Sequence, residues 1–131
     1  CCLKYRELRM EVKVRKFTFT ERLSILLFNN DFFFLKIDDL AVKGKTVGIS
    51  IYTVLDDVRP AWKSAKKHHN TMHDLYRMQM FEEAAAQCKM IRRNFDGRME
   101  GYYDMWIERC EYMATQDLPS DWNGIFVATS K

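Results

Sequence analysis

The stretch FFFLKIDDLAVKGKTVGISIYTVL, residues 32–55, decides how this sequence folds. Two segments, Phe32 to Val42 and Thr46 to Leu55, are dense in the aromatic and β-branched residues that suit a pleated, half-buried surface. Between them lies Lys43-Gly44-Lys45, and a glycine at such a join supplies the positive φ that a tight hairpin turn needs. The spacing predicts a β-hairpin. Asp38-Asp39 near its first strand and Asp56-Asp57 after its second are adjacent carboxylates, and neighbours on a strand point to opposite faces. Neither pair makes an acid/base dyad.

Upstream, Met10 to Phe19 alternates apolar Met10, Val12 and Val14 with charged residues, the period of a half-buried strand. Thr20 stands at an N-cap position before Glu21, Leu23, Ile25, Leu26 and Leu27, which suits a short helix stopped at Asn29-Asn30. Downstream, the period changes from 2 to 3.6 at Arg59-Pro60, and proline fits a first helical turn because its missing N–H would be unpaired there anyway. Ala61, Trp62, Ala65, Met72, Leu75 and Tyr76 line a first predicted helix. Phe81, Ala84, Ala85, Cys88, Ile91 and Phe95 line a second. After Gly97 a third carries Met99, Tyr102, Tyr103, Trp106, Cys110 and Met113, and it ends before Leu118-Pro119. Asp121-Trp122-Asn123-Gly124 reads as a turn and residues 125–128 as a short extended end.

The chain has 131 residues, 47% of them hydrophobic and 30% charged, with five Gly and two Pro. Such a composition is globular and excludes disorder and low complexity. The apolar runs Ile25–Phe28 and Phe32–Leu35 are broken by Asn29, Asn30 and Asp31, short of the roughly 20 residues a bilayer requires. No membrane segment is expected. The net charge of +3 is too small to argue for nucleic acid. The basic start, Lys4, Arg6, Arg9, Lys13, Arg15 and Lys16, is interrupted by Glu7 and Glu11 and lacks the interleaved aromatics of a single-strand platform, so a solvated face is the simpler expectation. Cys1, Cys2, Cys88 and Cys110 form no C-x-x-C pair and follow no secretory signal, which suits reduced thiols in a cytoplasmic setting. A sequence that opens on Cys rather than Met is expected to be part of a longer chain.

Few residues carry chemistry on their own. Gly44-Lys45-Thr46 looks like the end of a P-loop, but Asp39 stands where that loop requires its first glycine. Lys43 and Lys45 either present ammonium groups to a triphosphate or form a solvated basic turn. His69 and His73, at i and i+4, share a helix face at a spacing zinc proteases use, but the Glu of H-E-x-x-H is absent. Cys88 or Asp74 would have to add a ligand, so no metal site is assigned, and exposed histidines beside Lys66-Lys67 are expected, His68 among them. Cys88 and Cys110 fall on apolar stripes as small core residues, and no complete catalytic set is present.

Taken together, residues 10–131 resemble the end of a class III adenylate/guanylate cyclase. The hairpin residues Phe32 to Leu55 look like that family's closing hairpin, in which an aromatic-rich strand leads through a Val-Lys-Gly-Lys turn into a strand ending Ile-Tyr-x-Val; here these are Val42 to Lys45 and Ile51 to Val54. Bacterial members carry a helical extension with Phe-x-x-Ala, Arg-Cys and a final Asp-Trp-x-Gly, matched by Phe81 to Ala84, Arg109-Cys110 and Asp121 to Gly124. Leu75-Tyr76 with Phe81-Glu82-Glu83-Ala84 and Cys88 is also similar to a tetratricopeptide unit, although only one and a half repeats of about 34 residues fit between Met72 and Thr115.

The resemblance implies an α+β architecture. A partial ferredoxin-like sheet ending in a β-hairpin would occupy residues 1–57, and a small antiparallel helical bundle with its tail residues 58–131. It implies that the intact protein, a homodimer through a catalytic domain in the cytoplasm, with or without a membrane anchor upstream, converts ATP or GTP to a cyclic nucleotide and pyrophosphate with Mg²⁺ or Mn²⁺. The metal-binding aspartates and the Asn and Arg of the transition state belong, by the same resemblance, to segments before residue 1. Lys43 is the match for a lysine that contacts nucleotide phosphates, with Lys45 its neighbour, and the 131 residues alone are expected to be inactive. The alternative is a helical interaction module over Pro60 to Thr115 anchored by Tyr102, Tyr103 and Trp106, three side chains that otherwise belong to the core.

Overall fold

The computed structural model describes residues 33–41, 48–55 and 59–127. The strand expected at Met10–Phe19, the helix after Thr20, and the turn with Lys43 and Lys45 lie outside them. The fold is α+β. In order come β1 (Phe33–Ala41), β2 (Ile49–Leu55), α1 (Pro60–Arg77), α2 (Phe81–Ile91), α3 (Glu100–Met113) and β3 (Phe126–Val127), with the strands in one mixed sheet of order β2-β1-β3.

β1 and β2 pair antiparallel, as the hairpin reading requires, from Phe33 opposite Leu55 to Leu40 opposite Ile49. The register slips by one residue between Lys36 and Asp38, a bulge at Ile37. The alternation of the sequence does not forecast this bulge, and its effect is chemical. In a regular strand, residues three apart face opposite sides, whereas one inserted residue returns them to the same side. Lys36 Nζ therefore reaches Asp39 Oδ2 at 2.6 Å. Ser50, directly across the ladder, donates its hydroxyl to Asp39 Oδ1. Leu35, Ile37 and Leu40 remain buried beside Ile51. Opposite β2, the other edge of β1 takes β3 in parallel, Leu40 facing Phe126 and Ala41 facing Val127.

Strands β1, β2 and β3 belong to one compact unit and residues 60–124 to another. The boundary falls two residues from the expected one at 57/58. Residues 125–127, expected to go with the helices, group with the sheet because β3 pairs with β1.

In the helical unit Pro60 is the first residue of α1, as its chemistry predicts. The buried positions of α1 are Trp62, Ala65, His69, Met72 and Tyr76, alternating steps of three and four, and α2 buries Phe81, Ala84, Ala85, Cys88 and Ile91. Ala61, expected on the α1 stripe, is exposed. α1 closes with paired backbone bonds, Gln79 N–H to Tyr76 C=O and Met80 N–H to Leu75 C=O, and Gln79 takes φ 63° at the position that glycine usually fills. α2 stops at Ile91, four residues short of Phe95, where the chain enters turns in which Asp96 and Gly97 have positive φ. Phe95 is nonetheless fully buried, tilted against Trp62 with ring centroids 5.8 Å apart. The Asp121–Gly124 turn seats Trp122 against Tyr76 and Phe81, at 5.2 and 5.9 Å. A Cβ at Gly124, φ 79°, would sit 3.1 Å from Arg77 Cγ.

Candidate functional site

The described chemistry-bearing side chains gather in the helical unit. His69 is fully buried on α1, not exposed as the neighbouring lysines suggested, because it occupies the same seam as Trp62, Ala65, Met72 and Tyr76. Its Nδ1 lies 2.8 Å from the Tyr103 hydroxyl, and its Nε2 lies 3.2 Å from Nε2 of half-buried His73, one turn on. The Tyr102 hydroxyl stands 3.3 Å from the same His73 nitrogen. Trp106 closes the cluster, edge-on to His73 at 4.9 Å. Its indole N–H is buried with no hydrogen-bond acceptor among the described residues. Arg109, also buried, holds its guanidinium 4.6 Å from the Trp106 ring centre, a cation–π contact.

Proton accounting fixes how the histidines are protonated. Among the described residues the Tyr103 hydroxyl meets His69 alone, and burial drives its ionisation far above the ordinary range, so it is a neutral donor. If His69 carried its proton on Nδ1, the Tyr103 proton would be buried without an acceptor, at a cost of about 1–3 kcal/mol. Tyr103 therefore donates to Nδ1, leaving the His69 proton on Nε2, where it is donated to His73 Nε2. A straight N–H···N bond along both ring axes would hold the centroids about 5.5 Å apart, by the ring geometry behind such bonds. They are 4.8 Å apart at 65°, so the lone-pair axes are inclined to the N···N line.

Tyr102, Tyr103 and Trp106, the anchors of the interaction-module alternative, are 1% exposed or less. Desolvation by their own neighbours leaves no surface for a partner to cover, and the packing role is the one they fill. Sequence reasoning missed His69 and Arg109 as members of the same core. The signal for His69 lay in its place on the three-four repeat of α1; Arg109 carries no such mark except its position three residues after Trp106.

Cys88 and Cys110 are buried free thiols, with Cys110 pushed up to about 11 and Cys88 higher still, both by burial. That is the reverse of an activated nucleophile. His68 pairs with Gln87 at 3.0 Å, and Asp74, a ligand that the His69–His73 pair would have to recruit, is exposed. In the sheet, Asp38 is buried with Oδ1 accepting the Asp39 N–H at 2.9 Å, and Asp39 is taken by Lys36 and Ser50. No group of three or more His, Cys, Asp or Glu converges among the described residues. These carboxylates do not fit a Mg²⁺ or Mn²⁺ centre of the kind two aspartates build. No helix among the described residues is long and apolar enough to cross a membrane. Compared with protein-family models, with curated proteins and with solved structures, the chain matches none.

Proposed function

We propose that this chain is the C-terminal part of a class III nucleotide cyclase, comprising the closing strands of its catalytic domain and a tetratricopeptide-like helical extension. The observation that carries the reading is the antiparallel pairing of β1 with β2 on the two sides of Val42-Lys43-Gly44-Lys45. The order that follows, a three-helix unit and then the Asp-Trp-Asn-Gly turn leading into β3, accords with it. In this reading the intact protein makes a cyclic nucleotide and pyrophosphate from ATP or GTP as a homodimer, and Lys43, with Lys45 beside it, contributes positive charge to the phosphates. Mg²⁺ or Mn²⁺ would neutralise phosphate charge from carboxylates outside these residues.

The coding frame upstream of the Cys1 codon tests the proposal. It is expected to stay open through two aspartates and an Asn-x-x-x-Arg segment, and a stop codon directly upstream overturns it. In the protein so defined, Lys43→Ala is expected to raise KM for the nucleotide about tenfold, the loss of one charged contact. An unchanged KM removes Lys43 from the site. Cyclic nucleotide formation from Mg-ATP by the purified 131 residues would show that the chemistry does not depend on upstream segments.

A further inference from the structure

We infer that His69, His73 and Tyr102 form a binding site for a divalent transition metal of the zinc and copper class. Two imidazole nitrogens bound to one tetrahedral ion at about 2.0–2.1 Å each stand about 3.3 Å apart. The His69 and His73 Nε2 atoms are 3.2 Å apart, and Tyr102 Oη is 3.3 Å from His73 Nε2. Inclined ring axes fit two donors that share a third body better than they fit a straight hydrogen bond. The i, i+4 pair thus finds its third ligand in a phenol from α3, and not in the Cys88 or Asp74 that helix spacing alone would nominate.

Two further features belong to such a site. Metal-bound imidazoles are held by a partner on the other ring nitrogen, and Tyr103 Oη stands 2.8 Å from His69 Nδ1. The buried Trp106 N–H beside His73 has no acceptor among the described residues, and a water or anion on the metal's open position would supply one. His73 is half-buried, which gives the ion a way in. The protons balance as follows. The His69 proton moves from Nε2 to Nδ1 and is donated to Tyr103 Oη, so that Tyr103's own proton gives up its acceptor and the metal bonds must outweigh that loss, while Tyr102 releases its proton to solvent and binds as the phenolate. Imidazole and phenolate together select zinc or copper over magnesium or calcium.

The experiment is titration of the full 131-residue chain, carrying Cys1→Ser and Cys2→Ser, with ZnCl₂ by calorimetry. One equivalent is expected to bind, release about one proton and raise the melting temperature. Tyr102→Phe and His73→Gln are expected to weaken binding about 100-fold and Tyr103→Phe about tenfold, with His68→Gln unchanged. Absence of one-equivalent binding, or an affinity in Tyr102→Phe or His73→Gln unchanged from that of the unsubstituted ligands, overturns the site. Should those variants fail to fold, CuCl₂ added to the unsubstituted ligands decides it. A phenolate-to-copper charge-transfer band in the visible is expected, and bound copper without that band is the overturning result.

Discussion

Trp62 shows at the residue scale what the helical core depends on. It is 1% exposed, meets Phe95 at 5.8 Å and receives Arg98 over its ring at 5.6 Å. Trp62→Ala should destabilise the helical unit by about 3–5 kcal/mol, read as a fall in the denaturant midpoint at constant slope. Tyr103→Phe tests the proton accounting: it strands the His69 Nδ1 lone pair and should cost about 1–3 kcal/mol, whereas Tyr112→Phe, on an exposed ring, should cost nothing measurable. Cys88 and Cys110 should resist iodoacetamide at neutral pH until the chain unfolds, as peptide mapping would show, because burial holds the Cys110 thiol near 11 and Cys88 above it. Their burial was legible from the i, i+3, i+4 stripes. The His69–His73–Tyr102 convergence was legible only in half. Helix spacing brings the two histidines together, but Tyr102 comes from a separate helix, and no local pattern relates positions that far apart.

Among the elements, the helices were the most legible because each announces itself through several independent signals. Pro60 opens α1 where the period changes, and the Phe81-to-Ile91 stripe of α2 is buried throughout. The end of α2 was not legible, since Phe95 keeps the helical spacing and its burial while the backbone has already turned. At the helix end Asn94 N–H bonds Ile91 C=O, three residues back, and positive φ at Asp96 and Gly97 follows, neither of which an apolar stripe encodes. Gly97 has φ 75° and open space where a Cβ would go, so Gly97→Ala should destabilise through strain alone, by about 1 kcal/mol. Gly48 gives the opposite case in the sheet. A Cβ there would lie 2.7 Å from Ile125 Cδ1, so Gly48→Ala must displace that side chain. The bulge in β1 was illegible for a related reason: alternation fixes which face a residue takes only while the register is unbroken.

Over the whole molecule, the Arg92–Asp104 pair, which joins the α2–α3 connection to α3, adds one contribution to the pH dependence of stability. Arg92 donates to both Asp104 oxygens, at 2.6 and 2.8 Å, and that hydrogen bonding holds the Asp104 carboxyl below the usual range. A carboxyl depressed in the folded state contributes above its unfolded pKa of about 4 and loses that contribution as pH falls through the folded value. The pair is open to solvent, so the effect should be small and shrink further with salt. Melting curves between neutral and acid pH should show a shallower decline in Asp104→Asn than in the unsubstituted chain. The α+β class was legible in the sequence, and so was the change from strands to helices at Pro60. The placement of Phe126–Val127 beside β1 was not, because a two-residue strand is too short to carry a period.

That last pairing has a kinetic consequence. Leu40 and Phe126 are brought together across the whole of residues 60–124, and among the described residues the ladder pairs are Leu40 with Phe126 and Ala41 with Val127. An unfolded segment of that length makes closure entropically costly. Folding of α1 to α3 first removes most of that cost, because the intervening chain is then already compact. The order of assembly is therefore written into the topology: helices, then β3. Pulsed hydrogen exchange during refolding should find the amides of Phe126 and Val127 among the last to be protected, and a destabilised helical core should slow their protection without touching the β1–β2 pair.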